Sequence, residues 1–118
     1  MDGIFEDDYI LTGSTAECLP RIKNRVSNLA QHCKFFYIGL TNRPNERFRE
    51  HNYKDGIVWD RMVVLYQTSS ALKEGNFEEE LILYYKDSKF KKKLKNNKDG
   101  RQGPLCQPPH YIYVLLKY

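Results

Sequence analysis

The hydrophobic rhythm of the chain changes period abruptly at residue 33. Before it, Leu19, Ile22, Val26, Leu29 and Cys33 recur at steps of three and four, which is one apolar stripe of an amphipathic helix. After it, KFFYIGLT (34–41) alternates with period two, as a strand does. Phe36, Ile38 and Leu40 fall on the expected core face, and Phe35, Tyr37, Gly39 and Thr41 on the other. Tyr37 therefore stands beside a glycine that leaves space next to it. A helix over residues 14–33 is further expected from the capping-box spacing of Ser14 and Glu17 and from Pro20 in its first turn.

The remaining elements follow from the same rules. Tyr9-Ile10-Leu11 reads as a short strand before the turn at Thr12-Gly13. Asn42-Arg43-Pro44-Asn45 reads as a turn into a helix carrying ERFREH, on which Arg47 and His51, four apart, share a face. IVWDRMVVLYQ (57–67) is a β-rich run and the expected central strand. Ser69 to Glu74 reads as a helical turn broken by Gly75. Asn76 and Glu79 then have capping-box spacing, and FEEELILYY continues as a helix. Residues 97–109 are loop by composition, and HYIYVLLKY is a final strand. Four strands alternating with three helices define an α/β class of the α+β sandwich type, a small, mainly antiparallel sheet flanked by helices. At 118 residues this is one domain, spanning 1–118.

Charge narrows the function classes. Nineteen Lys and Arg against fifteen Asp and Glu give a net charge of +4, which permits a polyanionic partner without requiring one. The charge is polarised: four acids lie in the first eight residues, and seven lysines with one acid lie in residues 86–98. That run suits a helix extension in solvent, a phosphate-backbone track through Lys91, Lys92 and Lys93, or a nuclear-import signal. No apolar run is long enough to span a membrane. MDGIFEDD lacks the basic start of a signal peptide, so an intracellular protein, cytoplasmic or nuclear, is expected. Three cysteines in that setting read as buried thiols. The rival is a scattered zinc site from Cys18, Cys33, Cys106 and His110, for which no CxxC pair exists. Trp59, in a β-rich run, is expected in the core rather than as a base-stacking platform.

One constellation carries chemistry. Tyr37-Ile38-Gly39 is followed by Arg47, eight residues after the glycine, and by His51 four later. On average composition this combination arises by chance on the order of once in 10⁵ chains of this length. It resembles the GIY-YIG endonuclease superfamily: the second half of the name motif, then the helix arginine and the histidine one turn on. Phe77-Glu78, with Leu81 and Ile82 beyond, looks like the family's metal-binding glutamate and its apolar flank. Leu94, Asn96, Asn97, Gly100 and Gly103 resemble its later asparagine and glycine-containing loop. The resemblance covers roughly residues 9–103. It departs from the family at the GIY half, which is normally about ten residues upstream of YIG and is absent here as written. Tyr9 is the preferred first tyrosine. Phe5, in Gly3-Ile4-Phe5, is the rival that keeps the letters but loses the hydroxyl. Glu79 or Glu80 can replace Glu78 on the helix, and Asn96 or Asn97 can brace the site.

The resemblance implies metal-dependent hydrolysis of DNA to 5′-phosphate and 3′-hydroxyl ends. Arg47 clamps the phosphate. Glu78 holds Mg²⁺ or Mn²⁺ with waters and phosphate oxygens. His51, Tyr37 or Tyr9 takes the proton from water. Arg43 joins the three lysines as a nucleic-acid contact. Repair, junction processing, restriction and element mobility are the settings implied. Since family members usually gain target choice from an appended domain, a protein partner or a homodimer is expected to supply it. The alternative is a non-catalytic nucleic-acid-binding module with a degenerate cleft.

Overall fold

The structure, a computed structural model, describes residues 3–54, 56–69, 71–96 and 108–118, with 71–76 described by backbone alone. Its elements run β1 (Ile4–Glu6), α1 (Thr15–Ala30), β2 (Phe35–Thr41), α2 (Pro44–Lys54), β3 (Arg61–Thr68), α3 (Ala71–Lys86) and β4 (His110–Lys117). They form an α+β fold around a four-stranded mixed sheet in the order β1-β3-β4-β2. β4 pairs antiparallel with both β2 and β3, and β1 adds to β3 in parallel.

Both faces of the sheet are covered. Ile112, Val114 and Leu116 of β4, with Phe36 and Ile38 of β2, pack against Ile22 and Val26 of α1 and Phe77, Leu81 and Tyr85 of α3. The opposite face carries Tyr113 and Leu115 of β4, Met62 of β3 and Trp59, packed against Phe48 of α2. Such two-sided burial explains why β3 and β4 read as nearly continuous apolar runs. Trp59 is thereby a core residue, as its setting suggested, with its backbone N–H donating to Asn52 Oδ1 at 2.7 Å.

The helix start at Ser14 is confirmed: its Oγ accepts from the Glu17 N–H at 3.2 Å. Other boundaries differ from expectation: α1 ends at Ala30 and not at residue 33, and β3 runs from Arg61 to Thr68 and not over 57–67. α3 starts at Ala71 and continues through Gly75, so Asn76 is interior and not a cap. It stops at Lys86, where Ser88 Oγ donates to the Tyr85 carbonyl and accepts the Phe90 N–H, turning the lysine run away from the helix. The first strand is Ile4–Glu6 rather than Tyr9–Leu11, although Leu11 makes an isolated parallel bridge to Tyr66.

An ion pair explains the choice of first strand. Ile4 N–H donates to the Asp60 carbonyl at 2.8 Å. Two places on, the Glu6 carboxylate receives both Nε and Nη2 of Arg61, at 2.5 and 2.8 Å. The Arg61 hydrogen bonds hold the Glu6 carboxyl below its ordinary value of 4.5. A depressed carboxyl stabilises the fold fully above that ordinary value and loses its contribution below it, as the pH falls through the lower folded-state pKa. Thermal unfolding of the native protein and Glu6→Gln should therefore differ most at neutral pH, and the gap should narrow as the pH drops below 4.5. A gap independent of pH would mean that the pair adds nothing in its charged form.

Candidate functional site

The glycine of Tyr37-Ile38-Gly39 sits where a side chain cannot. In the register of β2 on β4, Gly39 lies opposite Tyr113. A Cβ at Gly39 would come within 2.2 Å of Tyr113 Cζ and 2.3 Å of its hydroxyl. The absent side chain lets the Tyr113 ring lie across the strand, and 1% of that residue is exposed. Gly39→Ala must push the ring out of a packed position. Overpacking of this kind costs about 1–3 kcal/mol. A lowered Tm with a Tyr113 environment changed by NMR is the expected result, and a native-like Tm would show that the ring yields freely.

Around Tyr113 the fold assembles a polar cluster from three elements. His51 Nε2 of α2 and the Tyr113 hydroxyl are 2.8 Å apart, both buried. The Tyr37 ring packs on the His51 ring at 4.8 Å between centroids and stacks with Tyr113 at 6.5 Å. Arg47, one turn before His51, interacts with the same hydroxyl. Its guanidinium also lies 3.5 Å from Glu50, a half-exposed pair of little consequence. Partial burial opposes the Arg47 charge, but Tyr113, Tyr37 and Glu50 together outweigh that and hold its pKa above the ordinary value. Burial pushes the Tyr113 phenol well up, with Tyr37 and Glu78 adding to the rise and Arg47 opposing it. Tyr113 is thus a neutral phenol beside a permanent cation.

Glu78 lies on α3, whose apolar residues pack on the opposite face of the sheet, and its tie to the Tyr113 cluster is electrostatic. It is 6% exposed, whereas Glu79 and Glu80 face solvent, so the helix selects one carboxylate of the triplet. Its charge reaches Tyr113. Among the described residues no group of three His, Cys, Asp or Glu side chains could hold a metal. A single carboxylate does fit Mg²⁺ or Mn²⁺, since Mg²⁺ keeps several waters and takes one or two carboxylates plus substrate phosphate oxygens.

Tyr9 stands apart from this cluster. Its side chain is 76% exposed, and its carbonyl accepts from Arg25 Nη1 at 2.7 Å. It lies beside the β1 edge, and two strands separate β1 from β2. At the usual strand spacing that is about 14 Å. Phe5, on β1, packs on the same sheet face as Tyr37, but two strands lie between them. The tyrosine beside the Tyr37 strand is Tyr113, from the far end of the sequence. The detectable signal was Tyr111-Ile112-Tyr113, an alternating run able to set a tyrosine opposite Gly39. Tyr113→Phe removes a buried hydrogen bond worth about 1–3 kcal/mol when one partner is left behind. Tyr9→Phe should leave Tm unchanged, and comparable losses in the two variants would contradict this placement.

Asn97 and Cys106 lie outside the described residues. Asn96 braces β2 directly: its Oδ1 accepts the Ile38 N–H at 2.9 Å and its Nδ2 donates to the Ile38 carbonyl at 2.7 Å. One amide thereby fixes the backbone between Tyr37 and Gly39. Cys18 and Cys33 are free, buried thiols, one in the first turn of α1 and one three residues past its end; the helix from Cys18 to Ala30 rises about 18 Å, so they do not converge on one metal. Lys91 and Lys92 are exposed, but Lys93 Nζ donates to the Ala30 carbonyl at 2.8 Å, capping α1. Arg43 pairs with Glu46 at 2.7 Å at the start of α2. No helix among the described residues is long and apolar enough to cross a membrane.

Comparison of the chain with family models, curated proteins and solved structures finds no match.

Proposed function

We propose that this chain is a metal-dependent DNA endonuclease of GIY-YIG type, intracellular, hydrolysing phosphodiester bonds to 5′-phosphate and 3′-hydroxyl ends. The observation that carries the reading is the meeting of Arg47, His51, Tyr37 and Tyr113 over Gly39. Three of the four carry the family resemblance, and the fourth would take the place of the tyrosine of the missing GIY half. In this reading the family's first strand is supplied by β4, so the order of elements along the chain is permuted.

Each residue has a physical task. Arg47 presents a forked, permanent positive charge to a phosphate whose charge grows in the transition state. Its neighbours keep it charged at any working pH. The water that attacks phosphorus must lose a proton. Tyr113, with its raised pKa, is a poor stable anion. His51 is the group that ends with the proton, taken from water directly or through the Tyr113 hydroxyl 2.8 Å away. Tyr37 holds the imidazole by ring contact. Glu78 would hold Mg²⁺ or Mn²⁺, which when bound supplies positive charge at the phosphate and the leaving oxygen. A protein partner or a second copy would supply target choice.

The test is a cleavage assay on linear, nicked, flapped and branched DNA with Mg²⁺, Mn²⁺ or EDTA. Cutting that needs the metal and leaves 5′-phosphate ends is the expected result. No cutting on any substrate, with DNA still bound, would make the chain a binding module.

A further inference from the structure

Phe35 and Tyr37 share one face of β2, on the side of the sheet that carries the cluster around Tyr113. Two lysine ammonium groups gather over the Phe35 ring. Lys95 Nζ is 3.9 Å from the ring centroid and Lys34 Nζ is 5.9 Å from it, both within cation–π reach. Neither lysine is free to drift at its base. The Lys34 N–H donates to the Lys117 carbonyl at 2.6 Å, and the Lys95 N–H donates to the Phe36 carbonyl at 2.8 Å. Among the described residues neither ammonium has a carboxylate within 4.0 Å.

Their neighbours are neutralised or otherwise engaged. Lys117 lies 3.6 Å from Asp60, Lys93 caps α1, and Arg43 pairs with Glu46. Two like charges drawn to one ring repel, and an anion between them relieves that repulsion. The ring is one side-chain repeat from Tyr37, about 6.8 Å along the strand. A DNA backbone that meets the Tyr37–His51 cluster can therefore run along the same strand face past Phe35.

We propose that Lys34 and Lys95, held over Phe35 on the sheet face that carries the Tyr113 cluster, form a subsite for a DNA backbone phosphate flanking the scissile one. The proposal rests on the endonuclease reading above. It places the flanking phosphate contact beside the Tyr113 cluster and not on the lysine run at 91–93.

Binding of a short fluorescent DNA duplex, followed by anisotropy in EDTA so that the DNA stays intact, tests it. Affinity is measured from about 50 to 200 mM salt for three proteins. These are the native chain, the double variant Lys34→Gln with Lys95→Gln, and a control with Lys91→Gln and Lys92→Gln. Gln keeps most of each stem on the surface and removes only the charge. All four lysines are exposed, so folding should be unaffected, and matching Tm values would verify it. The expected result is a several-fold loss of affinity in the first double variant, with the slope of log K against log salt reduced by about 2. The control should lose distinctly less. Native-like binding by the first variant, or equal losses in both, would overturn the subsite and leave the endonuclease reading standing. A native chain that binds no duplex at all would overturn the DNA reading, and the subsite with it.

Discussion

Glu78→Gln is expected to reduce DNA cleavage on the order of 10³-fold or more while leaving DNA binding and Tm near native. A bound divalent cation contributes several kcal/mol of charge stabilisation in phosphoryl chemistry, and each factor of ten corresponds to about 1.4 kcal/mol. Gln preserves the shape of the side chain and some of its hydrogen bonding but offers no charge to hold a hard cation. The same exchange at Glu79 or Glu80 should do nothing, because both face solvent. The comparison is read from single-turnover cleavage in Mg²⁺ and Mn²⁺, with Tm measured alongside. Full activity in Glu78→Gln, or its loss in Glu79→Gln or Glu80→Gln, would move the metal ligand along the helix.

Arg47→Ala should lower the rate of cleavage about 10²- to 10³-fold, the usual loss when a donor aimed at developing charge is removed. That corresponds to about 2.7–4 kcal/mol of transition-state stabilisation. Arg47→Lys should recover only part of the rate, since an ammonium restores charge without the planar fork. The fall should appear in kcat as well as in kcat/KM, because the interaction strengthens as the phosphate gains charge. A change confined to KM would show that Arg47 holds DNA without assisting the reaction.

The two largest expectations rest on residues that the sequence made visible, and the reason is local. Arg47 and His51 lie within one helical turn of each other, and Tyr37 lies within one strand, so spacing alone puts each on a definite face. Glu78 stood out from Glu79 and Glu80 because helical spacing sets it on one face with Leu81, Ile82 and Tyr85, and that face is the buried one. Tyr113 was hidden for a different reason. Strand alternation says which side chains share a face but not which strand lies alongside, and the partner of β2 comes from more than 70 residues away. Nearness along the chain favoured Tyr9, whereas the sheet places it at the opposite edge. Lys93 shows the same limit, for its commitment to the Ala30 carbonyl depends on a turn after α3 that composition does not specify.

The central position of β4 has a consequence for how the protein is made. β2 and β3 do not touch in the sheet, and the strand that joins them is residues 110–117. On the ribosome, every other element emerges first and waits with unpaired strand edges, a condition that invites wrong pairing. Gly39 then has no ring across it, and His51 has no phenol beside it. When the last strand inserts, it closes the sheet, buries both cores and completes the polar cluster in one event. A nascent chain therefore carries Arg47 and Glu78 before Tyr113 is in place, and on the endonuclease reading proposed above it could not cut until β4 had inserted.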